Sequence, residues 1–282
     1  MRMFHLLWLF SLTTLGATAT AGALPRKQGD AYLNVEFSSY QTSRFWDMDG
    51  NSQSLVGEFD KQELVVYGEY GLTNTTTLTY RLAHAQLEQG PFSNNGLTAP
   101  EIGLIHNLYR NGPYAFSVYG KAVLPNGQSP TSHFPPIDYN QTALEAGVLY
   151  GGYFDKGYFD AGLGLRAYKG YPSNQARGYF RSGYRTSPAV SLWGQVELTL
   201  GLDSNAQGPA LETALGNQVS QFFSGAPGTV TTQPFYKLGQ LSFGADITLS
   251  SCSVITPFVR IPVWGRNTGQ GRTLGLQLSF NF

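Results

Sequence analysis

Three observations predict an all-β fold, a membrane-spanning antiparallel up-and-down β-barrel of about 12 strands. Apolar and polar residues alternate through one segment of the chain after another. Charged residues make up only 13% of the chain, about half the share of a soluble domain, yet the mean hydropathy is −0.18. The connections between alternating segments are by turns short and long. Successive side chains of a strand point to opposite faces, so such alternation marks a sheet with one apolar and one polar face. Helical membrane spans would raise the hydropathy, whereas barrel strands are half apolar and half polar. A formal net charge of zero leaves nothing to neutralise phosphates, which argues against a nucleic-acid partner.

The chain opens with Arg2, an apolar run from Phe4 to Leu15, and small residues through Ala17, Ala19, Ala21 and Ala23. This is the pattern of a secretory signal peptide, and the run is too short to span a membrane. Cleavage is expected after Ala19, Ala21 or Ala23, which divides the chain into a leader, 1–23, and a barrel, 24–282. No cysteine stands at the end of the leader, so a lipoprotein signal is not expected, and the single Cys252 has no internal disulfide partner.

The first strand is expected near Ala31–Tyr40, with Leu33, Val35 and Phe37 on one face and Asn34, Glu36 and Ser38 on the other. A polar connection, Gln41–Asp60, should follow. The second strand sets Leu64, Val66 and Tyr70 against Glu63, Tyr67 and Glu69, and the third sets Leu78, Tyr80 and Leu82 against Thr77, Thr79 and Arg81. Ile102, Leu104 and Leu108 mark the fourth, before a tight turn at Arg110–Pro113. Phe116 and Val118 mark the fifth, and Leu144, Ala146 and Val148 the sixth. The seventh, Phe159 to Arg166, alternates cleanly. Phe180 and Tyr184 oppose Arg177, Arg181 and Arg185 in the eighth, and Leu192, Val196 and Leu198 belong to the ninth. Leu241, Phe243, Ala245 and Ile247 form the tenth, and Ile255, Val259, Ile261 and Val263 the eleventh. Pro257 and Pro262 interrupt that last strand, because proline donates nothing to a ladder.

The closing strand has Leu274, Leu276, Leu278, Phe280 and Phe282 on one face and Gly275, Gln277, Ser279 and Asn281 on the other. A final strand ending in Phe resembles the last strand of bacterial outer-membrane barrels. The resemblance implies that Phe280 and Phe282 act as an assembly signal read by barrel assembly machinery. The expected location is the bacterial outer membrane, with its lipid and lipopolysaccharide as surroundings, short turns in the periplasm and long loops outside.

The polar faces carry Glu36, Glu63, Glu69, Arg81, Glu101, Lys121, Glu145, Asp160, Arg166, Arg177, Arg181, Glu197, Asp246 and Arg260, which are expected to face the lumen. Two arrangements fit. Opposite charges pair between adjacent strands, or a wall of Glu faces the Arg residues of the eighth strand across water. No catalytic group is expected. His84, His106 and Ser182 fall on apolar faces, but no Gly-x-Ser-x-Gly turn occurs. No metal site or cofactor is expected either, since the histidines at 5, 84, 106 and 133 lack ligand spacing. Within Gly201–Gln233, Leu211, Leu215, Val219 and Phe222 recur at helical spacing, and this loop helix is a candidate lid or gate.

Four stretches carry a family resemblance: Glu69–Asn74, Tyr109–Pro113, Gly157–Gly164 and Gly265–Gly269. Together they resemble the outer-membrane barrel family labelled for the meta-pathway of phenol degradation, distantly akin to the long-chain fatty-acid transporters. The resemblance spans most of the mature chain. It implies passive uptake of small, hydrophobic or aromatic compounds. An outer-membrane hydrolase of the phospholipase type and a plugged structural barrel are the alternatives. The fatty-acid transporters carry a hatch of several tens of residues, and here only about ten residues precede the first strand. A hatch-driven mechanism is therefore not carried over.

Overall fold

The computed structural model describes residues 22–127, 133–170, 172–203 and 235–282. Twelve long strands form a closed antiparallel barrel. In chain order these are β1 (Ala31–Trp46), β2 (Ser52–Gly71), β3 (Thr76–Gln89), β5 (Glu101–Asn111), β6 (Tyr114–Val123) and β7 (Ala143–Phe154). They continue with β8 (Gly157–Tyr168), β9 (Gln175–Ser187), β10 (Val190–Gly201), β11 (Lys237–Ser250), β12 (Ser253–Arg266) and β14 (Arg272–Asn281). Two short strands complete the set: β4 (Phe92–Leu97) pairs with β3, and β13 (Thr268–Gly269) pairs with β1. Each barrel strand pairs with its neighbours in sequence, and β1 closes the sheet by pairing with both β2 and β14. Closure leaves no edge, so backbone groups within the bilayer satisfy one another.

Burial is inverted relative to a soluble protein. Leu144, Leu163 and Leu165 are 62–65% exposed, while Glu145, Asp160 and Arg166 are buried. Lipid is the solvent of the outer face, so apolar side chains belong there. The same inversion locates the upper limit of the hydrocarbon. On β3 the outward residues run Leu78, Tyr80 and Leu82 and then turn polar at His84, Gln86 and Glu88, while Ala83, Ala85 and Leu87 become buried. On β2 the exposed side changes from Leu64 to Gln62 and Glu58.

This change of solvent explains where the strands depart from expectation. Gln41–Asp60 is mostly strand: the β1–β2 ladder continues through Tyr40↔Lys61 and Gln41↔Asp60 to Trp46↔Ser52. Only residues 47–51 connect the two strands. Above the hydrocarbon the outer face need no longer be apolar, but the backbone still gains from pairing, so alternation of hydropathy stops before the ladder does. β12 likewise runs through both prolines, with a register shift between Gly239 and Gln240, where Pro262 pairs. A shift of this kind absorbs the missing N–H.

The connections at 72–75, 112–113, 155–156, 188–189 and 251–252 are short and lie at the end shared by the start of β1 and the end of β14. That end is the periplasmic one.

Candidate functional site in the barrel lumen

Two cavities open along the described part of the inner face. The lower, of about 450 Å³, draws its lining from nearly every barrel strand, including Arg81, Glu101, Lys121, Glu145, Asp160, Arg177, Arg181 and Glu197. The upper, of about 420 Å³, is lined by Glu63 and Arg260 together with Tyr40, Phe59, Lys61 and Gln240, and Gln240 borders both. Four further ionisable residues lie on the same face in contact with neighbours. Glu69 meets Arg26, Arg166 meets Glu101 and Glu145, Asp246 meets Trp193, and Glu36 accepts a hydrogen bond from Gln277 at 2.8 Å.

Cations of the lower cavity are paired locally, while Asp160 and Glu197 accept from uncharged donors, Ala23 and Tyr179 for the first and Gln195 and Gln240 for the second. Glu145 accepts from Arg166 Nε at 2.6 Å, Arg177 Nη1 at 3.1 Å and the Tyr119 hydroxyl at 2.9 Å, and Lys121 Nζ lies 3.3 Å away. Arg166 and Lys121 also reach Glu101, at 2.8 and 3.4 Å. Arg181 stacks on Trp193 at 3.9 Å, receives support from the Tyr158 hydroxyl and lies 3.7 Å from Asp246. Arg177 and Arg181 of β9 therefore direct their charge to carboxylates two strands away, Glu145 on β7 and Asp246 on β11. A transverse field from a Glu wall to an Arg wall does not form, because a buried pair is worth more at contact than across water.

Aromatic rings pave the rest of the wall. Five inward rings face glycines across the ladders: Tyr119↔Gly147, Tyr179↔Gly162, Tyr158↔Gly183, Trp193↔Gly244 and Phe258↔Gly275. A Cβ at Gly162, Gly183 or Gly275 would overlap the ring opposite. Each ring thus lies along the wall instead of across the lumen. In the sequence Gly275 stands only as a small member of a polar face. The signal that finds these glycines is register, because ring and glycine are brought together only by cross-strand pairing.

The segment before β1 enters the barrel at its periplasmic end. Ala23 is buried against Ile105, Ala115 and Leu149, with Leu24, Tyr119 and Tyr179 packed around them. Its N–H donates to Asp160 Oδ1 at 3.0 Å and its carbonyl accepts from Ser117 Oγ at 2.5 Å. Arg26 donates from its backbone to Thr77 Oγ1 at 2.9 Å and from its guanidinium to Glu69 at 2.5 Å and Asn281 at 3.2 Å, over the Tyr32 ring. Gly71 lets the chain cross the barrel rim, since a Cβ there would overlap the Lys27 carbonyl. These few residues, too short for a hatch, nonetheless fill part of the mouth.

Other candidate residues are not brought together. His84 and His106 are exposed on β3 and β5, the latter bonded to Thr76 at 2.9 Å. Ser182, four strands away on β9, donates its hydroxyl to the Tyr158 carbonyl at 3.1 Å. Among the described residues no cluster of His, Cys, Asp and Glu has metal-ligand geometry. Leu211, Leu215, Val219 and Phe222 lie outside the described residues. Phe280 and Phe282 stack with ring centres 6.3 Å apart.

No family model matches the chain, and no curated protein does. Among solved structures it is similar to an outer membrane channel from Pseudomonas putida F1, with a TM-score of 0.71 and 11% identity over 94% of this chain and 99% of that one. A NanC porin (TM-score 0.49, 8% identity, 88% of this chain and 98% of that one) and a CymD monoaromatic hydrocarbon channel (0.45, 7%, 91% and 88%) are more distant. At 11% identity the first of these likenesses speaks for the fold alone, a closed antiparallel outer-membrane barrel.

Proposed function

We propose that this chain is a passive outer-membrane channel for small amphipathic solutes, aromatic compounds among them. The observation that carries this reading is the inner wall. In the lower cavity the cations sit against carboxylates and rings lie on glycines, so the interior holds cavities rather than being filled by side chains. That cavity offers rings and hydrogen-bonding groups to a small amphipathic solute. No step of bond making or breaking is needed. The segment at Ala23–Arg26 is the narrow point of the path at the periplasmic mouth.

That segment also favours a second reading, a barrel permanently plugged by its own amino-terminal residues. Single-channel recording of the purified protein in planar bilayers separates the two. The channel reading expects stable conductance steps, and larger ones in Gly71→Val, where the new side chain displaces Lys27 and unseats the segment. Silence in the wild type with steps in the variant would establish the plug. Silence in both, with the barrel folded, would overturn the channel reading.

A further inference from the structure

In the upper cavity one cation stands without an acid. Arg260 is on the inner face of β12, opposite Ser242 of β11 and Thr273 of β14. The same row of the ladder continues through Tyr40 to Lys61 on one side and through Gln195 to Arg181 on the other. Lys61 has Glu63 at 3.3 Å and Arg181 has Asp246 at 3.7 Å. Among the described residues no carboxylate pairs with Arg260, and its Nε is buried without a hydrogen-bond partner. The hydroxyl of Ser242 across the ladder is buried and unpartnered as well. Glu36, on the same inner face, is held by Gln277 instead.

Arg260 contacts the Phe258 ring at 5.4 Å, which offsets only part of its charge. Its surroundings are half apolar: Leu55, Phe59, Leu238 and Pro262 line the cavity beside it, with Thr268 and Thr273. Tyr40 and Phe59 meet edge to face at 6.0 Å, two and three strands along the wall from Arg260. A guanidinium presents a planar fork that matches a carboxylate with two parallel hydrogen bonds, and a partly buried one left alone is unfavourable. The other cations lining the two cavities, Lys61, Arg81, Lys121, Arg177 and Arg181, each lie within 4 Å of a carboxylate. Here that partner is missing, and aromatic surface stands two strands along the same wall.

We propose that the upper cavity is a docking site for an aromatic carboxylate, with the carboxylate on Arg260 and the ring against Tyr40 and Phe59. This rests on the channel reading and narrows its solute class. It places an anion-binding group on the extracellular side of the neutral lower cavity, where an incoming solute meets it first.

Titration calorimetry of the detergent-solubilised full-length protein tests the site with benzoate, benzyl alcohol and acetate as probes. Benzoate should bind the wild type, and Arg260→Gln should weaken it by about tenfold or more. Arg260→Lys should fall between, acetate should bind more weakly than benzoate, and benzyl alcohol should be indifferent to the substitution. Heat-modifiable migration checks that each variant is folded. Equal benzoate affinity in wild type and Arg260→Gln, or no benzoate binding at all, would overturn the proposal. Recording current in parallel separates the two readings: Arg260-dependent binding without conductance in any form supports the site and sinks the channel.

Discussion

Leu163 and Asp160 stand three residues apart on β8, yet Leu163 is 62% exposed and Asp160 is buried. The contrast states the chemistry of the barrel at single residues: lipid outside, hydrogen bonds inside. Leu163→Arg should destabilise by about 2–4 kcal/mol, whereas His84→Arg, above the point where β3 turns polar, should cost about 0–1 kcal/mol. Chemical unfolding of the folded barrel in lipid checks the pair, and equal effects would show that the two positions share one environment. On the inner face, Glu145→Gln removes the acid that serves Arg166, Arg177 and Lys121. Stranding those cations should cost about 3 kcal/mol, read as a lower melting temperature. The partial exposure of Arg177 and Lys121 keeps the value at the low end of such losses.

Among the elements, the amino-terminal segment and the ladders behave differently from their sequence pattern. The segment has no periodicity, and nothing in its composition announces that it enters the barrel. Its seating uses Ala23, which the leader boundary at 1–23 would remove. A chain beginning at Leu24 would leave Asp160 and Ser117 without the backbone groups they bind. Cleavage after Ala19 or Ala21, each with a small residue two positions earlier, keeps both contacts. Intact mass of the protein from outer membranes should therefore correspond to a start at Thr20 or Gly22, and a start at Leu24 would refute this. The ladders extend past their alternation because hydrogen bonding and hydropathy answer to different surroundings. Tyr40 to Trp46 on β1 is paired strand in a stretch whose composition suggests a loop.

The whole molecule depends on one closing seam. Ala31 donates to the Phe282 carbonyl at 3.2 Å and Phe282 donates to the Ala31 carbonyl at 2.9 Å, so first and last strand complete the cylinder. Phe282→Ser should reduce the amount of heat-modifiable barrel in the outer membrane while export to the periplasm continues. A normal amount would show that the terminal ring is not read during assembly. Taken across the chain, alternation in one segment after another, low charge and connections by turns short and long were enough to point to a barrel of about twelve strands and to which face of each strand is apolar. These are local properties, because strand geometry sends neighbouring side chains to opposite faces whatever lies next to them. Which residues meet across the lumen was decided only by tertiary structure. Glu145 finds Arg177 two strands away, Tyr179 lies on Gly162, Ala23 reaches Asp160, and Arg260 finds no acid. Each of these depends on register, on closure and on the path of a segment without periodicity. Register shifts of two residues preserve every hydropathy pattern while changing every partner, so no reading of the pattern alone selects among them.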